Sequence, residues 1–363
     1  MISLSLASLI QRLAAACAAG ALASLALLAG GPAPSTLAHG PNPLFGTNLW
    51  GQDQIVGYMW APGAVPPGWM AAEIDAAAED VEQSRKSRAA LFQRVSKADS
   101  KIWYGGMWPC PAYGIACVNR SGAPDSFAGM WFRPHGWPFD WGTLRWCQGL
   151  AAPANGCYDV ENVALDEFGH IEIIGHHVNY DDERDFLDSI VQYAARARPR
   201  EGWNEHVFGR CDVARLQLEY ELIRPSDPVS TCLSLATSLS IVPGSTWISP
   251  GQTVRISGNL KVGTASAARS LSGDPLSART VTLQRRSPGT TGWSAVGTLP
   301  ANATAGSYSL TITPPQTYDY RLVFTPAAEG VLASQTGAVR IVVSACPGTV
   351  AREARTPQVP CQY

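Results

Sequence analysis

The chain is short of charge, and several classes of function fall with that shortage. Asp, Glu, Lys and Arg make up 15% of the 363 residues, and the formal net charge is −2. A surface so close to neutral gives no long-range pull on nucleic acid or an anionic membrane, so neither is expected as a partner. There is no glycine-rich phosphate loop and no G-x-S-x-G elbow, which sets aside nucleotide binding and serine-nucleophile hydrolysis. No two cysteines are spaced C-x-x-C, so a cysteine-rich structural zinc site is not expected. Residues 236–363 contain no histidine and no cluster of acids. That stretch is not expected to carry catalysis.

Long apolar runs are also lacking, with one exception. Residues 13–28 are apolar, follow Arg12, and precede Pro32, Pro34 and the small residues before His39. This is the layout of a secretory signal peptide over residues 1–38. The remaining chain then has no membrane span and is expected to be secreted, outside the cell or at its surface. Cys17 lies inside the run; the other eight cysteines suit an oxidising compartment. They fall into four neighbouring pairs, Cys110/Cys117, Cys147/Cys157, Cys211/Cys232 and Cys346/Cys361. Nearest-neighbour disulfides are the expectation, although spacing alone does not fix connectivity.

What is present divides in two. Residues 1–235 hold 17 Lys/Arg against 25 Asp/Glu, a balance of −8, whereas residues 236–363 hold 10 against 4, a balance of +6. The charge break predicts a first domain over 39–235, a second over 236–345 and a tail over 346–363. In the first, residues 54–60 alternate like a strand, and Met70, Ile74, Ala77, Val81 and Leu91 keep helical spacing to about Arg94. Short strands are expected at 101–104 and 126–133, with a loop closed by Cys110 and Cys117 between them. Helices are expected over 158–174 and 211–222. The order strand, helix, strands, helix, helix describes an α+β domain. In the second, strands are expected at 239–242, 253–260, 280–286, 293–298, 307–312, 318–324 and 338–343, separated by Pro- and Gly-rich turns. Seven short alternating strands predict an antiparallel sandwich of immunoglobulin-like architecture.

Five of the six histidines lie between 135 and 206. Three of them sit in or next to the segment DEFGHIEIIGH, Asp166 to His176, which His177 follows. Positions 166 and 170 are one helical turn apart on the same face and can share a metal. Glu167 stands beside the first and can serve as a base, while Gly175 can end the helix and return His176 as a third ligand. Three protein ligands with one position left open define a catalytic rather than a structural zinc site. Such a metal acidifies its water, and a neighbouring carboxylate takes the proton.

This segment resembles the metzincin zinc proteases, matrixin-like among them, whose signature is H-E-x-x-H-x-x-G-x-x-H followed by a methionine turn. The resemblance spans roughly residues 40–222, and its specific part is 163–177. It implies a metzincin-like α+β fold and a zinc-dependent endopeptidase acting on protein or peptide substrates. It also implies Glu167 as general base and Asp166, His170 and His176 on zinc. Residues 189–191 stand where the methionine turn belongs, and 212–220 look like the closing helix. Three positions depart from the pattern. Asp166 replaces histidine, Ile173 replaces glycine so that the turn is left to Gly175, and Val191 replaces methionine. These departures favour the rival reading, a catalytically inactive binding protein of the same fold. A cell-surface interaction protein working through its second domain is a third.

The remaining features have plainer readings. The acidic run at 181–183 reads as a solvated face, since its spacing fits no calcium loop. His177 reads as a solvent-facing neighbour, and His135 and His206 as surface or loop residues. Trp131, Trp137, Trp141 and Trp146 read as packing in a loop-rich domain, with an aromatic binding groove as the alternative. Asn119-Arg-Ser121 and Asn302-Ala-Thr304 match the glycosylation pattern.

Overall fold

A computed structural model describes residues 41–122, 124–140, 142–148, 157–177, 189–191, 206–224, 226–263, 276–300, 305–327 and 329–345. The expected signal peptide, the acidic run at 181–183, Trp141, the 302–304 glycosylation pattern and the Cys346/Cys361 pair lie outside the described residues.

The first region is built on an aromatic, alternating strand, β1 (Ile55–Trp60), whose Val56 and Tyr58 point into the core. Helix α1 (Gly68–Ser84) buries Met70, Ile74, Ala77, Ala78 and Val81 along one face. It does not reach Arg94 as the spacing suggested. The chain leaves the helix after Ser84, and Lys86 takes a left-handed φ of 49°. Leu91 then enters a strand, β2 (Leu91–Arg94), parallel to β1. Apolar spacing matched Leu91 to the helix by coincidence; pairing with β1 decided its conformation.

Strands β3 (Ser100–Tyr104), β4 (Ala116–Asn119) and β5 (Gly129–Phe132) complete a five-stranded sheet in the order β2-β1-β3-β5-β4. Its pairs are parallel except β4, which runs antiparallel to β5. β4 is an edge strand, and the sequence reading had placed it in a loop. The short ribbons β6 (Pro138–Phe139) with β7 (Gly142–Thr143) and β8 (Trp146–Cys147) with β9 (Tyr158–Asp159) lead into helix α2 (Val160–Ile171). Phe168 of α2 stacks on Phe92 at 4.7 Å and lies 5.8 Å from Tyr58, fixing the helix against β1 and β2. Each fully buried aromatic of this kind contributes roughly 1.5–3 kcal/mol by removal from water.

Helix α3 (Arg210–Glu219) faces two cores. Val213 and Leu216 join the first core, while Cys211, Ala214 and Leu218 join a second with Leu233, Leu235 and the strands that follow. Buried Gln217 ties the same junction by donating to the carbonyls of Lys86 and Pro228 and accepting from Ser230 N. Disulfides join Cys110–Cys117, Cys147–Cys157 and Cys211–Cys232. All three are nearest-neighbour pairs, as expected.

The second region is β-rich. One sheet contains β10 (Thr237–Leu239), β11 (Val242–Pro243), β13 (Val254–Val262) and β16 (Ser307–Ile312). The other contains β12 (Trp247–Ile248), β14 (Thr280–Arg286), β15 (Ser294–Pro300), β17 (Tyr318–Phe324), β18 (Ser334–Gln335) and β19 (Val339–Val343). Ile256 and Leu260 of the first sheet share a core with Leu283, Leu322 and Ile341 of the second. Three strands have the bounds expected from alternation; the two-residue pairings had no legible signal.

Candidate metal centre

Asp159 starts the site helix. Its carboxylate accepts from the backbone N–H groups of Glu161 and Asn162, at 3.0 and 3.3 Å, satisfying two donors that a helix start leaves open. At the other end the Ile171 carbonyl accepts from Trp50 Nε1 at 2.8 Å and Arg120 Nε at 2.7 Å. The reversal then happens at Ile173, whose φ is +84°. This corrects the expectation that Gly175 makes the turn. A β-branched residue in the left-handed region costs roughly 1–2 kcal/mol. The strain is offset by burial of the Ile173 side chain and by the hydrogen bond from Phe45 N to its carbonyl. Gly175 has a different task. It donates to the Pro43 carbonyl at 2.7 Å, and a Cβ there would stand 2.9 Å from that oxygen.

This turn delivers His176 to the helix. One ligand atom each from Asp166, His170 and His176 lies within 4.8 Å of the others. His170 Nε2 is 2.9 Å from His176 Nε2 and 3.9 Å from Asp166 Oδ2. The other nitrogen of His170, Nδ1, donates to the Ile174 carbonyl at 2.8 Å. That bond selects the tautomer with a bare Nε2, the form a metal ligand needs. Burial pulls the His170 pKa down to about 4, with His176 adding to the effect; the ring is neutral at physiological pH. Burial also lowers the pKa of His176. The three sequence-assigned ligands therefore meet, with the bare Nε2 of His170 between the other two.

Glu167 is buried on the same helix, and its Oε2 has no hydrogen-bond partner. Burial first, and the charge of Asp166 second, hold its pKa well above the usual carboxylate range. Neither oxygen of Glu172, five residues on, meets a hydrogen-bonding partner at good geometry, and burial raises its pKa to about 8. A buried carboxylate left without compensation is costly and tends to mark functional sites.

The segment 189–191 packs beneath the helix. Asp212 holds it by accepting from Ser189 Oγ at 2.6 Å and Ile190 N at 2.7 Å, and it also accepts from Gly209 N at 2.9 Å. Buried Val191 fills the space under Gly169; a Cβ on Gly169 would come within 2.4 Å of Val191 Cγ2. Asn42 closes the arrangement, its amide donating to Ser189 Oγ, Asp212 Oδ1 and the Gly175 carbonyl. Sequence reading missed Asn42, which no local pattern singles out. His177 is not solvent-facing as expected: it is buried, with Nδ1 3.1 Å from Asn42 Oδ1. His206 is no simple surface residue either, since its ring nitrogens meet Asp159 and Glu161 at 2.9 and 2.8 Å. Of the tryptophans, Trp146 is buried in the core, while Trp137 is partly exposed with the Arg133 guanidinium over its ring.

Beside the centre lies a cleft of about 1000 Å³, lined on one side by residues 45–50 and on the other by the end of β4 and the loop after it. Phe45 belongs to the cleft wall, and its ring centroid is 4.8 Å from that of His170. Arg120 supplies the only charge in the lining. Among the described residues no strand pairs with the outer edge of β4, and α2 packs against that strand.

No family model matches the chain, and no curated protein matches it. Among solved structures it has a slight similarity to a superoxide reductase (neelaredoxin) from Ignicoccus hospitalis. That match has 12% identity and a TM-score of 0.21, covering 30% of this chain and 80% of that one. A likeness this small says nothing about fold or activity.

Proposed function

We propose that this chain is an exported, zinc-dependent endopeptidase of the metzincin type, with Asp166, His170 and His176 as metal ligands and Glu167 as proton carrier. The observation that carries the reading is the convergence of His170 Nε2, His176 Nε2 and the Asp166 carboxylate, with Nδ1 of His170 committed to a backbone carbonyl. Two nitrogens and one oxygen suit zinc. The partnerless, buried Oε2 of Glu167 beside them also fits a cation and a reacting water as neighbours.

Asp166, His170 and His176 would hold the zinc, which when bound would acidify a water and polarise the carbonyl under attack. Glu167 takes the proton that water loses as its oxygen bonds to the carbonyl carbon, then returns it to the amide nitrogen as the C–N bond breaks. Burial raises the Glu167 pKa, which strengthens its carboxylate as a proton acceptor. The free edge of β4 offers backbone groups to an extended peptide, and the adjoining cleft has room for its side chains. Three disulfides support export, and the β-rich region is assigned an immunoglobulin-like sandwich with an accessory binding role.

A second reading, an inactive binding protein of the same fold, is favoured by the strained Ile173 and by Asp166 in place of a histidine. Metal content separates the two. Elemental analysis of residues 39–363, purified without chelator or tag metal, should find zinc that is lost in His170→Ala. Glu167→Gln should then keep that zinc and lower peptide hydrolysis by roughly 10²–10⁴-fold. No His170-dependent zinc, or undiminished hydrolysis in Glu167→Gln, would reject the enzyme reading. Asp166→His should tighten zinc binding; unchanged or weaker affinity would show that the helix is not built around a metal.

A further inference from the structure

The first turn of α2 carries another gathering of ligand-type side chains, five residues before Asp166 and so about 7.5 Å along the helix axis. Asp80 of α1, Glu161 of α2 and His206, just before α3, bring one ligand atom each within 4.8 Å of one another. His206 Nδ1 is 2.8 Å from Glu161 Oε2. Asp80 Oδ2 is buried and has no hydrogen-bond partner. Glu73, buried on α1, also reaches Glu161.

Two features separate this cluster from an ordinary ion pair. Asp159 orients the histidine: its Oδ1 caps the helix, while its Oδ2 receives the Nε2–H of His206 at 2.9 Å. In this structure His206 donates from both ring nitrogens, Nδ1 to Glu161 and Nε2 to Asp159; a metal that replaced the Nδ1 proton would keep Asp159 as the outer support of its histidine. The charge is also unbalanced, because three carboxylates, Asp80, Asp159 and Glu161, lie around one imidazole, which can carry only a single positive charge.

We infer that Asp80, Glu161 and His206 form a second metal site, for a divalent transition-series ion such as zinc, that clamps α1, the start of α2 and the lead-in to α3. One imidazole nitrogen with two carboxylate oxygens suits zinc or manganese, whereas calcium takes oxygen alone. The backbone is already held for the purpose, since Phe208 N donates to Ser84 Oγ at the end of α1. This site goes beyond the proposed catalytic one and does not depend on it.

The test is zinc stoichiometry on the full chain, stripped with chelator, equilibrated with zinc chloride and desalted. Wild type should hold two ions per chain, with His206→Ala and His170→Ala each holding one and the double variant none. In the His170→Ala background zinc should raise the melting temperature, and Asp80→Asn, which keeps the side-chain shape, should remove both the ion and the rise. If His206→Ala misfolds, Asp80→Asn decides alone. A single wild-type ion that depends only on His170 overturns the inference and leaves the enzyme reading standing. An ion that survives His170→Ala but not Asp80→Asn supports the second site, even if the first proves vacant. Zinc content indifferent to Asp80 and His206 overturns it.

Discussion

The two regions of this molecule bury carboxylates in opposite ways. In the first, Glu167, Glu172 and Asp212 are enclosed, and burial raises the pKa of each, with Asp212 reaching about 6 despite the hydrogen bonds it accepts. In the β-rich region the buried Asp319 meets two arginines, Arg340 at 2.7 Å and Arg286 at 3.4 Å. There the Arg340 hydrogen bond leads, burial opposes it, and the pKa falls below the usual value. In one region burial outweighs the groups that favour ionisation, and in the other the arginines outweigh burial. Burial of this kind lowers stability, and such groups cluster at functional sites. Paired burial is what a supporting fold needs. The absence of histidine from residues 236–363 agrees with that division.

The largest effect that bears on this contrast is steric. Gly169→Ala should cost about 1–3 kcal/mol through overpacking against Val191, more than the roughly 1 kcal/mol that alanine gains as a helix former. Adding Val191→Ala should recover part of the loss, and denaturant melts of the single and double variants would measure the coupling. Simple additivity would mean that the 189–191 segment does not support the site helix.

Next comes the titration of Glu172. Its folded pKa is raised, so its contribution to stability is complete below about 4.5 and is lost as pH rises through about 8. Glu172→Gln should track wild type in acid and exceed it by on the order of 1–3 kcal/mol at pH 9. Parallel stability curves would mean that Arg85 and Arg120 offset the burial of Glu172 in full, and would weaken the contrast. Asp319 should behave in the mirror sense. Its pKa is lowered, so its contribution is present above the unfolded value of 3.8 and is lost as pH falls through the folded one. Asp319→Asn should cost about 1–2 kcal/mol at pH 7, a discounted figure because Arg340 is half exposed. That cost should vanish near pH 2.

Legibility in the sequence followed the range of the interactions. Asp166 and His170 were readable because four residues make one helical turn, and His176 because a short return reaches the same face of the helix. The bounds of β14, β16 and β17 were readable from alternation within each segment. Leu91 was misread because its spacing suits a helix as well as it suits β2. β4 was missed because four residues between a disulfide loop and a glycosylation-like triplet carry little pattern. Ile173 was misjudged because glycine is the residue that usually accepts a positive φ, and only burial of its side chain and the bond from Phe45 allow isoleucine to do so.

By itself, then, the sequence pointed to the two-part character of the chain, to nearest-neighbour pairing of the six cysteines from Cys110 to Cys232 and to the three candidate ligands on and after one helix. These rest on periodicity, composition and separations of a few residues, which the chain carries locally. Only the tertiary structure decided that Asn42 locks the segment under the helix, that Glu167 and Glu172 are buried, and that Asp80, Glu161 and His206 meet. Those groups come from elements tens of residues apart, and what joins them is the packing of α1, α2 and α3 around shared cores.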